Sequence, residues 1–140
     1  MVRFMSNRRF ARIALLLLLA CLASAAQAET DFGNLYRLYS QAGGREFNPG
    51  RGKDLWLKER AGEGGEPMNC ASCHGADLRK QGRHNKSGKP IEPMAPSVNK
   101  DRYTDVEKVE KWFLRNCKQV LRRECTAQEK GDVLRYLSQS

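Results

Sequence analysis

Cys70-Ala71-Ser72-Cys73-His74 restricts this chain more than any other feature. A C-x-x-C-H pentad spaces two thiols to add to the two vinyl groups of a haem, and the next residue supplies an imidazole beneath the iron. A chain built this way must fold around a large flat apolar cofactor joined to it covalently. Two other readings of the thiols fail on their surroundings. A thioredoxin-like dithiol follows a strand and opens a long helix. Here Gly64, Gly65 and Pro67 precede the pentad, and a polar loop from Gly75 to Lys89 follows it. A zinc site needs a second Cys/His pair, and none has suitable spacing.

The N-terminal segment agrees with covalent haem attachment outside the cytoplasm. Arg3, Arg8, Arg9 and Arg12 form a basic start, Ile13 to Leu22 an apolar stretch, and Ala26-Gln27-Ala28 a small-x-small cleavage site before Glu29. Residues 1–28 therefore read as a secretory signal, residues 29–140 as one monohaem cytochrome c domain, and the periplasm as its address. The apolar stretch is short for a bilayer span, which argues against an uncleaved anchor. Leu18-Leu19-Ala20-Cys21 resembles a lipoprotein box, but Leu19 fits it poorly and the later Ala-x-Ala fits a signal site well. A lipid anchor at Cys21 is not expected.

Removing the signal leaves 21 Lys and Arg against 16 Asp and Glu in 112 residues. A small basic domain of this kind suits an acidic redox partner. No basic helix interleaved with aromatics points to nucleic acid, and nothing suggests more than a monomer. Of the five cysteines, Cys21 leaves with the signal and Cys70 and Cys73 go to haem. Cys117 and Cys125 remain, an even pair in an oxidising compartment, and should form a disulfide.

Along the mature chain the pattern is helical. Asp31 to Gln41 presents Phe32, Leu35, Tyr36, Leu38 and Tyr39. Asn48-Pro49 reads as an N-cap followed by proline at the first helical position, opening a helix to about Arg60. Within it, Gly52 and Trp56 resemble the contact surface that class I cytochromes c offer their last helix. Thr104-Asp105-Val106-Glu107 has the form of a capping box with Thr104 as cap. The stripe that follows is Val106, Val109, Trp112, Phe113 and Val120, with Asn116 falling on it. Thr126 and Glu129 cap a last helix over Ala127 to Leu137. The expected fold is all-α, a small class I-like cytochrome c around one haem.

The iron position opposite His74 has few candidates. Met94, in Pro93-Met94-Ala95-Pro96, is a methionine in a proline-containing loop, as in electron-carrying cytochromes c, yet lies only twenty residues after His74. Met68, two residues before Cys70, can hardly cross the ring. His84 stands in a polar loop, Gly82 to Lys89. Asn116 is an amide on an otherwise apolar stripe and needs a partner. An open position is the remaining alternative.

Further motifs recur in a known order. Pro93-Met94-Ala95-Pro96-Ser97-Val98-Asn99, Arg102-Tyr103-Thr104-Asp105, Lys108-Val109-Glu110-Lys111-Trp112, Asn116-Cys117 and Glu124-Cys125-Thr126 resemble the sphaeroides haem protein family, which is related to cytochrome c″. The resemblance covers nearly the whole mature chain and is densest from Ile91 to Leu137. It implies that the residue before the first disulfide cysteine is the distal ligand, Asn in the sphaeroides haem proteins and His in the cytochromes c″. Asn116 stands there. It implies also that this ligand leaves on reduction, opening ferrous haem to oxygen, nitric oxide or carbon monoxide. A dihaem cytochrome c and a membrane b-type cytochrome are the implied redox partners. Arg122 departs from the family, whose members tend to have Gly there. A non-glycine resists a left-handed turn, so a different shape is expected for the disulfide loop.

The main rival is a simple electron carrier with Met94 or His84 as permanent ligand. Catalysis on peroxide, hydroxylamine, nitric oxide or oxygen is a third reading. It lacks an evident distal acid/base pair.

Overall fold

The computed structural model describes the backbone of residues 27–31 and the whole of residues 32–62 and 64–140. All but the last two residues of the expected signal segment, Cys21 included, lie outside them. No helix among the described residues is long and apolar enough to cross a membrane.

The order is α1 (Gln27–Gln41), α2 (Pro49–Leu57), β1 (Arg60–Ala61), β2 (Pro67–Met68), α3 (Ala71–His74), β3 (Gly82–Arg83), β4 (Pro90–Ile91), α4 (Val106–Leu121) and α5 (Ala127–Leu137). The strands are two-residue antiparallel ladders, Arg60 opposite Met68 and Gly82 opposite Ile91, inside an otherwise helical chain. Helix α2 starts as the sequence predicts: the Asn48 side chain accepts from the Gly50 and Arg51 N–H groups, and Pro49 follows at the first turn. It ends at Leu57, short of the expected Arg60, whose guanidinium instead donates to the Leu55 and Lys58 carbonyls. Helix α5 carries the complete Thr126–Glu129 capping box.

The start of α4 differs from expectation. Asp105, not Thr104, is the cap: its carboxylate accepts from the Lys108 N–H at 2.9 Å, while Thr104 Oγ1 donates to the Asp101 carbonyl. A carboxylate also complements the positive end of the helix dipole, which favours it over a hydroxyl. At the other end of α4, Arg122 does adopt the left-handed conformation, with φ 60°. The helix thus stops in the usual left-handed manner in spite of the side chain.

Helices α2 and α5 cross in close contact. A Cβ on Gly52 would overlap the Asp132 carbonyl and meet Tyr136 Cβ at 3.0 Å. Trp56 packs against Tyr136 (centroids 6.2 Å), and Val133, Leu134 and Leu137 are buried beneath. Asp132 is a buried charge that the sequence does not announce. Its carboxylate accepts from the Asn48 N–H (2.7 Å), from Arg51 Nε (2.8 Å) and from Gln128 Nε2 (3.0 Å), so one group ties both helices and the turn before α2. Such pairing is what makes a buried carboxylate tolerable.

A second polar knot joins α1, α4 and α5. The buried Tyr39 hydroxyl donates to Glu110 Oε1, and Lys130 Nζ donates to Oε2 at 2.6 Å. Burial first, then the Glu110 carboxylate, holds the Tyr39 proton well above the usual phenol range. Tyr39→Phe should cost about 1 kcal/mol in denaturant unfolding, because Glu110 keeps its Lys130 partner. The wild type's stabilisation by neutral Tyr39 is present below the unfolded phenol value near pH 10 and is lost as pH rises beyond it. The phenylalanine variant should therefore lose less stability above that pH.

Candidate functional site

The pentad folds as a single tight turn anchored to the end of α2. Asn69 Oδ1 accepts from the Ser72 N–H (2.8 Å), Ser72 Oγ accepts from the Asn69 N–H (3.0 Å), and Asn69 Nδ2 donates to the Leu57 carbonyl (2.9 Å). The Cys70 N–H donates to the Trp56 carbonyl (3.1 Å), fixing where the first thiol begins. Gly75 leaves the turn at φ 77°, a conformation that favours glycine. Strand β3 lies directly against the pentad, since a Cβ on Gly82 would overlap the Cys73 carbonyl.

Within this turn Cys70 and Cys73 are half-buried free thiols rather than a disulfide. Burial pushes the Cys70 thiol up to about 11. The His74 ring lies 5.3 Å from Trp56, centroid to centroid, and its Nδ1 is buried without a hydrogen-bond partner. Burial, and secondarily the Arg102 cation, lowers the His74 pKa to about 4, so the imidazole is neutral near pH 7, the form that ligates a metal. No group of three or more His, Cys, Asp or Glu side chains among the described residues could hold a metal ion by itself. Two unbridged thiols and a neutral, half-buried imidazole on one turn fit covalent haem and do not fit a zinc site.

Asn116 lies on the half-buried side of α4, and its amide has no hydrogen bond among the described residues. The next residue, Cys117, is bridged to Cys125 with Cα atoms 5.6 Å apart. Replacing both with serine should remove about 2.5 kcal/mol by the loop-closure argument, read as a lower denaturant midpoint. Phe113, one turn before Asn116, meets Tyr39 edge-on at 6.3 Å. Trp112 is not on the buried face, contrary to expectation. It is 45% exposed, with the Arg115 guanidinium 5.2 Å above its ring.

The other candidates are engaged differently. The His84 Nδ1 accepts from the Ser87 N–H at 3.1 Å in the turn between β3 and β4. Met94 packs against the core, its N–H donating to the Leu78 carbonyl and its own carbonyl accepting from Tyr103 Oη at 2.7 Å. Met68 is buried in β2. Trp56 beside His74, Arg102 and the Asn69–Ser72 clamp are site residues that sequence reasoning missed. Only Asn-x-x-Ser across the pentad's first turn could have signalled the clamp.

A family model described as a domain of unknown function, DUF1924, matches residues 42–137. The cytochrome c-type protein SHP of Cereibacter sphaeroides is 41% identical over 124 residues, covering 88% of this chain and 95% of that protein. The structure of oxidised SHP, described as an oxygen binding cytochrome c, superposes with a TM-score of 0.72 at 40% identity, over 78% of this chain and 96% of that one. Oxidised cytochrome c″ from Methylophilus methylotrophus gives 0.68 at 29% identity, over 78% and 94%. The all-α arrangement described above is thus the class I-like cytochrome fold of these two proteins.

Proposed function

This chain belongs to the DUF1924 family and to the family of the cytochrome c-type protein SHP, and from that footing we propose that it is a periplasmic c-type cytochrome with one haem that takes up a diatomic ligand when reduced. Residues 1–28 serve as its export signal. Cys70 and Cys73 hold the haem by thioether bonds, His74 is the proximal ligand, and Asn116 is the distal one. When bound, haem would supply a redox-active iron able to take a diatomic ligand.

The observation that carries this reading is the place of Asn116, half-buried on α4 with no hydrogen bond among the described residues, immediately before the disulfide-bonded Cys117. An amide oxygen is a hard, weak donor, better matched to the oxidised than to the reduced state of iron. Asn116 would therefore be the weaker-held ligand of a reduced iron, and the imidazole of His74 the retained one. An amide does not titrate near neutrality, so its release follows redox state rather than pH. Once free, its Nδ2–H can donate to a polar guest such as oxygen. Electrons come from a c-type donor, such as a dihaem cytochrome c, fed by a membrane b-type cytochrome. The simple-carrier alternative would need at the iron either Met94, whose side chain packs against the core, or His84, which sits in the turn between β3 and β4.

Imidazole titration of the oxidised protein tests the assignment. Asn116→Ala should bind added imidazole at least about tenfold more tightly, ~1.4 kcal/mol, because no side chain competes for the position. Equal affinities in wild type and variant would remove Asn116 from the iron.

A further inference from the structure

Helix α4 carries its charges unevenly, and the uneven side begins at Asn116. Going round the helix at about 100° per residue, the arc from Asn116 runs through Trp112, Gln119, Lys108, Arg115 and Lys111. No carboxylate of the helix lies on that arc. Glu107 falls beyond Lys111, and Glu110 lies on the opposite flank, bound to Tyr39 and Lys130. Asp105, at the start of the arc, is turned into the helix end as its cap. Lys118 lies outside the arc and is paired with Glu124 at 3.0 Å.

Lys108, Lys111 and Arg115 are exposed, and none makes an ion pair among the described residues. The Arg115 guanidinium is held over the Trp112 ring, which fixes its place and spares it some of the entropy of docking. The result is a one-sign stripe with an ordered Arg–Trp pair at its edge, one helical turn from the amide proposed to meet the iron.

We propose that this stripe is where the electron donor docks, and that the donor presents a carboxylate-rich face to it. The proposal rests on the haem reading above. One electron leaves the donor's reduced centre and reduces the ferric haem, with no group transferred. Cations beside the reacting centre steer an anionic partner to it and raise the encounter rate at low salt. A membrane surface fits less well. A helix that lies on lipid uses its apolar face, and the apolar face of α4, with Val109 and Val120, is buried in the protein.

The test uses oxidised holo-protein and the anionic reductant Fe(II)-EDTA in stopped flow, comparing the triple reversal Lys108→Glu, Lys111→Glu and Arg115→Glu with a control reversal, Lys53→Glu, Lys58→Glu and Arg79→Glu. The two variants have the same net charge. At low salt the α4 reversal should slow reduction about tenfold and the control less than about twofold, with the difference gone near 0.5 M salt, where charges are screened. Poly-L-glutamate should likewise bind the wild type and the control at least about tenfold more tightly than the α4 reversal. Equal slowing in both variants, or a difference that persists in high salt, would overturn the proposal. So would α4-dependent binding to phosphatidylglycerol vesicles but not to poly-L-glutamate, which would point to a membrane. The haem spectrum of each variant, oxidised and reduced, reports the ligands independently. A failed docking site with intact ligand exchange, and a wrong ligand assignment with intact docking, are therefore distinguishable.

Discussion

Gly52→Ala is expected to cost the domain most of its stability, more than about 3 kcal/mol in denaturant unfolding of the holo-protein. The added methyl would overlap the Asp132 carbonyl, a backbone group in the middle of α5 that cannot rotate away. Overpacking usually costs about 1–3 kcal/mol when side chains can yield, and here the obstacle is main chain. Nor can the helices slide apart cheaply. The Asp132 carboxylate is held by the Asn48 N–H and the Arg51 guanidinium, so separating α2 from α5 would strip a buried charge of its partners. The crossing also positions the pentad, because the Cys70 N–H hangs from the Trp56 carbonyl one turn after Gly52. A loss below about 1 kcal/mol would show that the helices can repack.

Cys70→Ser with Cys73→Ser is the second large effect expected. Without thioether bonds the haem should be extractable by acidified solvent, whereas wild-type haem should remain with the chain. Either single variant should keep one bond and an intermediate spectrum. The double variant should also be far less stable. Its apolar core rests on Leu35, Tyr39, Trp56, Val109, Val133, Leu134 and Leu137, with few further side chains from the loops. A domain of this size buries a limited fraction of its surface unaided. Haem that stays covalently fixed in the double variant would contradict the assignment of both thiols.

Much of this architecture was legible because local chemistry and global packing agree. Asn48-Pro49 and Thr126–Glu129 start helices by rules that need no tertiary context, and the structure follows them. Gly52 and Trp56 pointed correctly to the last helix. Thr104 and Asp105 show the limit of such rules: adjacent residues were both good caps, and the choice went to the carboxylate that reaches Lys108. The two ladders, Arg60–Met68 and Gly82–Ile91, are too short to leave any periodicity. Trp112 reads as core in sequence but is exposed, because an apolar stripe on a helix is broad and an indole at its margin can face either way. Arg122 takes up the left-handed conformation that its side chain is expected to resist, so the turn that ends α4 outweighs the cost of a non-glycine residue there.

The site was legible in proportion to its compactness. Cys70, Cys73 and His74 fall within five consecutive residues, so the haem attachment proposed for them rests on that short stretch alone. The neutral state of His74 could not, because it depends on burial and on Arg102, 28 residues further on. Asp132 was missed for a related reason, since its partners Asn48 and Arg51 lie more than eighty residues away.

Resonance Raman coordination and spin markers of the holo-protein, oxidised, then dithionite-reduced, then exposed to carbon monoxide, test the central claim most directly. A six-coordinate oxidised haem that becomes five-coordinate and high-spin on reduction, and then takes up carbon monoxide readily, is the predicted result. A six-coordinate low-spin haem in both states, inert to carbon monoxide, would make the protein an electron carrier with a fixed ligand and would contradict the role given to Asn116.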